Sequence, residues 1–413
     1  MTLALAMFLA GCGLIKESSL RNDDAKLWSF GQELSFFSRY GVQTVLLEEG
    51  DSIIAVSPEW QARVMTSTFD GVEGGSLGWI NRELIVSARK DAASAPLSTE
   101  QIGGEDRFWI GPEGGDLSIF FDDPSKMTVE HWRAPKALSS EPWNFVGKNK
   151  TQAKFEKEAE FRNVKGKSIR VKAEREISLI NKTQASEILG IEIPESVKLV
   201  AFQSFNKLTN TGNVPWSPDN GMANISVQSC FNANRKVKVF IPYRQGDSSK
   251  LGNIVRDNFY QPTLSGDSRL LIESEYIRFI ADGRNLSGIG VPPKRSEGII
   301  ISFDAENVIL TVILYIKPSG DRSYLSSGWR RGASTFDGDA ISLFNNGPLS
   351  TTSAPANPYY EVSTYSPALA LESGKSQFHI QRVFHFGGSE YDLGLIAYKL
   401  TGISIGQLRG KAE

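Results

Sequence analysis

The chain has 413 residues, 22% of them charged and 40% hydrophobic, with a formal net charge of −2. This is ordinary globular composition, and a near-neutral chain without a dense Lys/Arg block offers no track for a phosphate backbone, which excludes nucleic acid as a partner. No stretch reaches the roughly 20 consecutive apolar residues of a membrane-spanning helix.

The chain opens with MTLALAMFLAGCGLIKESS, a short apolar run ending in Leu9, Ala10, Gly11 and Cys12. It resembles the lipobox of bacterial lipoproteins, in which small residues admit the signal peptidase and the cysteine thiol receives diacylglycerol. The resemblance implies a signal peptide over residues 1–11 and a lipidated Cys12 opening a polar tether over 12–25. One domain follows over 26–413. The implied location is the bacterial cell envelope, lipid-anchored at the outer membrane and facing the periplasm or the surface. Cys12 and Cys230 are the two cysteines, so lipidation of Cys12 leaves no intramolecular disulfide. Cys230, in NISVQSCF, reads as a small buried hydrophobe, not a catalytic thiol.

Residues Ala25 to Arg39 predict an amphipathic helix, with Leu27, Phe30, Leu34 and Phe37 at helical spacing. Period two then takes over. SIRVKAERE places Ile169, Val171 and Ala173 on one face and Arg170, Lys172, Glu174 and Glu176 on the other, the pattern of a strand with one wet face. SIIAVSPEW, LVAFQSFNKLTN, KVKVFIPY, LLIESEYIRFIA, VILTVILYI and FHIQRVFHF read as further strands, rich in β-branched and aromatic residues. Ser186 to Leu189 predicts one helical turn. Turns at Asn163-Val-Lys-Gly, Asn210-Thr-Gly-Asn, Asp282-Gly and Asp304-Ala-Glu-Asn separate the strands. Many antiparallel strands without βαβ alternation predict an all-β fold, a large antiparallel β-sandwich with few short helices.

Phosphate-loop and HExxH zinc motifs are absent from the sequence, and the glycines of GVEGGSLG lack the spacing of a dinucleotide loop. Three histidines, His131, His379 and His385, could ligate a metal only if distant segments converged, and the many carboxylates lack a ligand spacing, so neither a metal nor a cofactor is expected. His379 and His385, six apart on one strand, lie roughly 20 Å from each other. The segment GGEDRFWIGPEGG is denser in chemistry than a plain turn requires. Glu105, Asp106, Arg107, Trp109 and Glu113 combine carboxylates and a guanidinium, which bond hydroxyls bidentately, with an aromatic ring that packs on apolar C–H faces. Arg63, Trp79 and Asn81 lie in the preceding QARVMTSTFDGVEGGSLGWIN. Such a set suits a sugar; the bland alternative pairs Arg107 with Glu105 or Glu113 and buries Trp109 in the core. Asn206 and Asn210 read as strand-end caps.

VSPEWQARVMTSTFDG, GGEDRFWIGPEGG, FNKLTNTGNVPW, FIADGRNLSGIGVPPKR and YYEVSTYSPALALESGKSQFHIQRVFHF, in that order, resemble the galactose-mutarotase-like superfamily over residues 27 to 400, and within it an uncharacterised lipoprotein branch. In the last segment Glu361, Ser366, Pro367 and Gly374 match the superfamily's closing hairpin. The resemblance implies a β-supersandwich whose concave face holds a carbohydrate, and in the enzymes of the superfamily, aldose 1-epimerases, a Glu base and a His acid that open and reclose the sugar ring. It also lifts Lys294, Arg295, Asp282 and Arg284 above ordinary loop charges.

Three functions follow. In the first, a monomeric, lipid-anchored envelope protein binds or processes a mono- or oligosaccharide through the GGEDRFW segment, Arg63 and Lys294. The second is an active epimerase with Glu105 or Glu113 as base and His131 or His385 as acid, facing each other across one pocket. The third is a structural envelope lipoprotein in which Arg107, Glu105 and Glu113 pair among themselves.

Overall fold

The computed structural model describes residues 26–90, 101–259, 264, 266–328, 334–348 and 357–410. The lipobox, with Cys12, lies outside the described residues. In chain order the strands are β1 (Val45–Glu49), β2 (Ser52–Ser57), β3 (Arg63–Thr68), β4 (Arg107–Gly111), β5 (Asn144–Lys148), β6 (Gln152–Arg162), β7 (Ser168–Leu179), β8 (Lys198–Asn210) and β9 (Asn224–Asn232). They continue as β10 (Val237–Pro242), β11 (Leu270–Ile272), β12 (Tyr276–Ile280), β13 (Ser287–Val291), β14 (Ile299–Asp304), β15 (Ile309–Tyr315), β16 (Ile341–Asn346), β17 (Tyr359–Tyr365) and β18 (Ser376–Gly387). Helices are α1 (Phe30–Arg39), α2 (Arg82–Lys90), α3 (Lys182–Leu189), α4 (Ser248–Leu251), α5 (Glu390–Thr401) and α6 (Ile405–Arg409).

The strands form a ten-stranded sheet of order β11-β12-β10-β14-β15-β18-β8-β7-β6-β5, a five-stranded sheet of order β13-β16-β17-β9-β4, and a three-stranded sheet β1-β2-β3. Neighbours pair antiparallel throughout the two larger sheets. One core lies between them, built from Phe108, Ile225, Phe231 and Val362 of the five-stranded sheet and Val171, Phe202, Ile313 and Val383 of the ten-stranded one. This is the all-β antiparallel sandwich expected from the alternation.

The period-two reading of β7 holds in detail. Ile169, Val171 and Ala173 are buried, while the outward residues join cross-strand ion pairs, Lys172 with Glu156 at 2.9 Å and Lys207 with Glu174 at 2.8 Å. On the opposite face of the ten-stranded sheet a second apolar cluster, with Phe240, Val312, Phe384 and Phe386, is covered by Leu393, Ile396 and Leu408 of α5 and α6.

Several boundaries differ from expectation. The first helix begins at Phe30, not Ala25, because Ser29 caps it: its hydroxyl accepts from the Gln32 N–H, and the Gln32 side chain accepts from the Ser29 N–H. SIIAVSPEW stops being a strand at Ser57, since Pro58 starts a 3-10 turn. LLIESEYIRFIA is two strands, β11 and β12, interrupted at Glu273-Ser274-Glu275. The turn expected at Ser186 extends to Lys182–Leu189 behind an Asn181 capping box. Helix α5 carries its own signals, Ser389 capping Asp392 N–H and Gly402 in the left-handed conformation.

The inter-sheet core also holds charge. Asp106 and Arg175 form an ion pair with both side chains 0% exposed. Asp106 further accepts from Ser204 Oγ at 2.9 Å and Gln381 Nε2 at 3.1 Å. Because removing one member of a buried pair strands the other charge, Asp106→Ala is expected to destabilise the protein by about 3–5 kcal/mol in urea denaturation. Asp106→Leu combined with Arg175→Met should recover most of that loss. A single Asp106→Ala variant as stable as the parent would show that the pair does not carry this weight.

Candidate functional site

Two glycines decide where the chemistry of GGEDRFW goes. Gly103 and Gly104 have φ of 95° and 104°, a region that side chains other than glycine rarely adopt. A Cβ on Gly103 would lie 2.0 Å from the Trp79 carbonyl oxygen, and one on Gly104 would lie 2.5 Å from Arg63 Cδ. Arg63 therefore lies directly across this backbone, donating to the Gly103 carbonyl and, at 2.7 Å, to Gln61 Oε1. The irregular path also breaks alternation. Glu105, two residues before Arg107, does not share its face.

Glu105 turns inward. Its carboxylate accepts from the Ser67 backbone N–H at 2.6 Å and the Ser67 hydroxyl at 2.8 Å, and meets His385 Nε2 at 3.1 Å. His385 Nδ1 lies 2.8 Å from Thr311 Oγ1. The Glu–His pair is 0–1% exposed and sits between the sheets. His379 is likewise buried, 2.8 Å from Thr364 Oγ1, and burial depresses it to about 3. His131 is exposed and bonds Thr128.

The opposite, outer face of the five-stranded sheet is polar. Strand register places Arg107, Gln228, Ser363 and Ser342 in one row and Cys230, Glu361 and Phe344 in the next. The intervening residues point the other way: Ser229 bonds Gln381, and Phe231 packs on His385. Within the outer face Arg107 donates to Gln101 and, at 3.2 Å, to Gln228 Oε1. Gln228 Nε2 donates to Glu113 Oε1 at 3.2 Å, and Glu361 accepts from Ser363 Oγ at 2.8 Å. The Cys230 sulfur is 3.8 Å from Glu361 Oε2. Tyr365 OH and Ser342 Oγ close the row at 2.8 Å.

The electrostatics of this face follow from burial. Desolvation lowers Arg63 well below the usual guanidinium range, and repulsion by Arg107 adds to it. Arg107 is lowered by desolvation, against the opposing pull of Glu361 and Glu113. Desolvation raises Glu361, and the neighbouring Glu113 raises it further. Cys230 is pushed well above its ordinary value by burial and by Glu361, which holds it as the neutral thiol expected of a packing residue. Three buried donors here, Arg63 Nε, Arg107 Nε and Gln61 Nε2, have no hydrogen-bond partner among the described residues.

Of the residues singled out from sequence, the structure brings together Arg63, Arg107 and Glu113. It separates them from Glu105, His131 and His385. Trp109 stacks under the Arg107 guanidinium at 3.6 Å and on the Phe120 and Trp132 rings, and it is 1% exposed. It is a core residue that supports an arginine. Trp79 is also buried, stacked on Tyr359 and donating to Asn357 at 2.9 Å. Asn81 caps α2 through the Leu84 N–H. Asn210 bonds Gly212 and Val214 at a strand end as expected, whereas Asn206 bonds the His379 carbonyl in mid-strand. Lys294 lies elsewhere, on an exposed cleft with Asp321.

Glu361, Gln228 and Gln61 were not selected as site residues from sequence. A signal existed for Glu361, since in YYEVSTY it is a carboxylate within a strand of otherwise uncharged residues.

The sequence profile of a family of unknown function, DUF6786, matches residues 28–412. The chain belongs to that family. No curated protein matches it. Among solved structures it is similar to a candidate aldose 1-epimerase from Escherichia coli K12, with 10% identity, 84% of this chain and 99% of that one covered, and a TM-score of 0.49. It is also similar to a galactose mutarotase-like protein from Lactobacillus casei ATCC 334, with 9% identity, coverage of 83% and 100%, and a TM-score of 0.47. A galactose mutarotase related enzyme from Lactobacillus acidophilus gives 10%, 84%, 97% and 0.46.

The raised Glu361 makes a signed prediction. Between the unfolded value near 4.5 and its higher folded value, the native protein holds more protons than the unfolded chain, so this residue's contribution to stability falls as pH rises through that window. The stability difference between the parent and Glu361→Gln, measured by denaturant titration, should be most favourable to the parent at pH 4 and decline toward pH 8. A difference that grows with pH would contradict the assigned cause.

Proposed function

We propose that the protein binds carbohydrate on the outer face of the five-stranded sheet, with Arg63, Arg107, Glu361, Gln228 and Glu113 as the polar contacts. The observation that carries the reading is the set of buried donors on Arg63, Arg107 and Gln61 that lack partners among the described residues. Buried donors are ordinarily paired, and leaving one unpaired costs about 1–3 kcal/mol. Hydroxyl oxygens of a sugar would satisfy them, while the nearby carboxyl groups accept from hydroxyl hydrogens. Strand register supports the same reading, because it sets the Glu361 carboxyl on the same face as Arg107, one row away, where it acts on both arginines.

Arg107→Ala and Glu361→Gln are each expected to weaken glycan binding roughly ten- to hundred-fold in a folded protein, as measured by calorimetry against the tightest ligand of a glycan array. Trp109→Ala is a poor probe of binding, because deleting a buried tryptophan costs about 3–5 kcal/mol of stability. Unchanged affinity in both the Arg107 and Glu361 variants would remove this face as the site. Polarimetry with the same sugar tests whether binding extends to anomerisation, with Glu361 as the proton-transferring group in place of a Glu–His pair.

The proposal includes a monomer held at the bacterial envelope by a lipid on Cys12, and rests for this on the Leu9-Ala10-Gly11-Cys12 match. Cells fed labelled palmitate should label the parent and not Cys12→Ser. Equal labelling, or none in either, would remove the anchor.

A further inference from the structure

A second candidate site lies away from the outer face, in a cleft of about 510 Å³ whose walls include Arg244, Lys250, Lys294, Lys317 and Arg322. Asp321 is the carboxylate among its described lining residues, which leaves four uncompensated positive charges in a protein whose net charge is −2. Composition alone does not produce that concentration. Like charges gathered in a concave site repel one another, and they focus a potential that attracts anions.

The framework that gathers them is built. Arg295, 1% exposed, donates through Nε and both Nη atoms to the carbonyls of Gly252, Arg244 and Gly246 and to Ser248 Oγ, at 2.8–3.1 Å. The Arg244 N–H returns a bond to the Arg295 carbonyl at 2.7 Å. This clamp fixes the 244–252 segment, with Arg244 and Lys250, against the Pro292-Pro293-Lys294 turn. On the other wall Lys317 Nζ donates to the Ser296 carbonyl at 2.7 Å, and Ser296 Oγ meets Tyr315 OH at 2.7 Å. Lys294 is paired with Asp321 at 2.9 Å. The exposed Arg244 and Lys250 of the 244–252 segment and Arg322 of the opposite wall line the cleft, while Leu251, Pro293, Pro318 and Tyr324 supply apolar wall. A cavity of this size takes a ligand larger than a bare ion.

We propose that this cleft binds a saccharide bearing oxyanion substituents, carboxylate or sulfate, with Arg244, Lys250 and Arg322 contacting the charged groups and the Pro and Tyr walls contacting the ring. The choice of a saccharide as carrier of the oxyanion rests on the carbohydrate reading of the outer face. Calorimetry on the full chain in detergent tests it with a sulfated disaccharide, its desulfated form, a trigalacturonate and inorganic sulfate. One or both charged saccharides should bind at least ten-fold more tightly than the neutral sugar and than inorganic sulfate, with affinity falling as salt rises. Which of the two binds tells sulfate from carboxylate. Lys250→Glu combined with Arg322→Glu, which touches no hydrogen bond described above, should weaken that binding roughly ten-fold or more; Arg107→Ala, on the outer face, should leave it unchanged. No preference for charged saccharides, inorganic sulfate binding as tightly as they do, or a double variant that binds like the parent would each overturn the cleft. Loss in Arg107→Ala with none in the double variant would also overturn it, and would place the acidic sugar on the outer face. Neutral-glycan binding lost only in Arg107→Ala reports on the outer face alone.

Discussion

The structure turns on neutralising two carboxylates, Glu105 and Asp106, that enter the space between the sheets. A buried carboxylate is costly unless paired and hydrogen-bonded, and each has its set. Asp106 has Arg175, Ser204 and Gln381, and Glu105 has Ser67 and His385. These partners come from β7, β8, β18 and β3, so the network ties the five-stranded sheet, through the segment leading into β4, to both other sheets, although Arg175 Nε and Nη1 have no partner among the described residues. The Gly103–Gly104 path makes this possible, because a regular strand would have sent Glu105 and Asp106 to opposite faces.

With those acids committed inward, Arg107 is left to the outer face, where it meets Glu361 of β17 and Glu113 of its own segment. Taking two guanidinium groups out of water is costly: desolvation lowers both, and repulsion by Arg107 lowers Arg63 further. Such an arrangement does not arise as the cheapest way to fill a sheet surface. Two carboxyl groups nearby offset part of the charge, but the Nε atoms of both arginines stay without partners among the described residues. The face thus combines unused donors with a carboxyl raised by burial, groups that sugar hydroxyls can pair with, while the buried Trp109 ring supports Arg107 from beneath.

The sandwich was legible in the sequence because its strand signals are local: β7 and most of β8 alternate between buried and part-exposed residues, and β10, β15 and β18 are rich in β-branched and aromatic residues. The site was legible in part. Arg63, Arg107 and Glu113 stood out by residue type. Glu105 misled because period two assumes a regular strand, and the two glycines with positive φ break it. His385 misled for a different reason: a histidine on a strand reads alike whether its partner is a ligand or a buried glutamate from a distant loop. Arg175 carried an unused signal, since it falls on the apolar face of SIRVKAERE, where a charge requires a buried partner. Glu361 joins Arg107 only through the pairing of β17 with β9 and β9 with β4, a tertiary fact that no local pattern contains.

The account's central claim is that the unpartnered guanidinium donors on the outer face are completed by sugar oxygens. It is tested most directly by ¹⁵N NMR of the arginine Nε–H groups during titration with the glycan that binds most tightly. The account predicts saturable shifts, with protection from solvent exchange, at Arg63 and Arg107, tracking the binding isotherm. Saturable binding that leaves both Nε–H signals unmoved would contradict it.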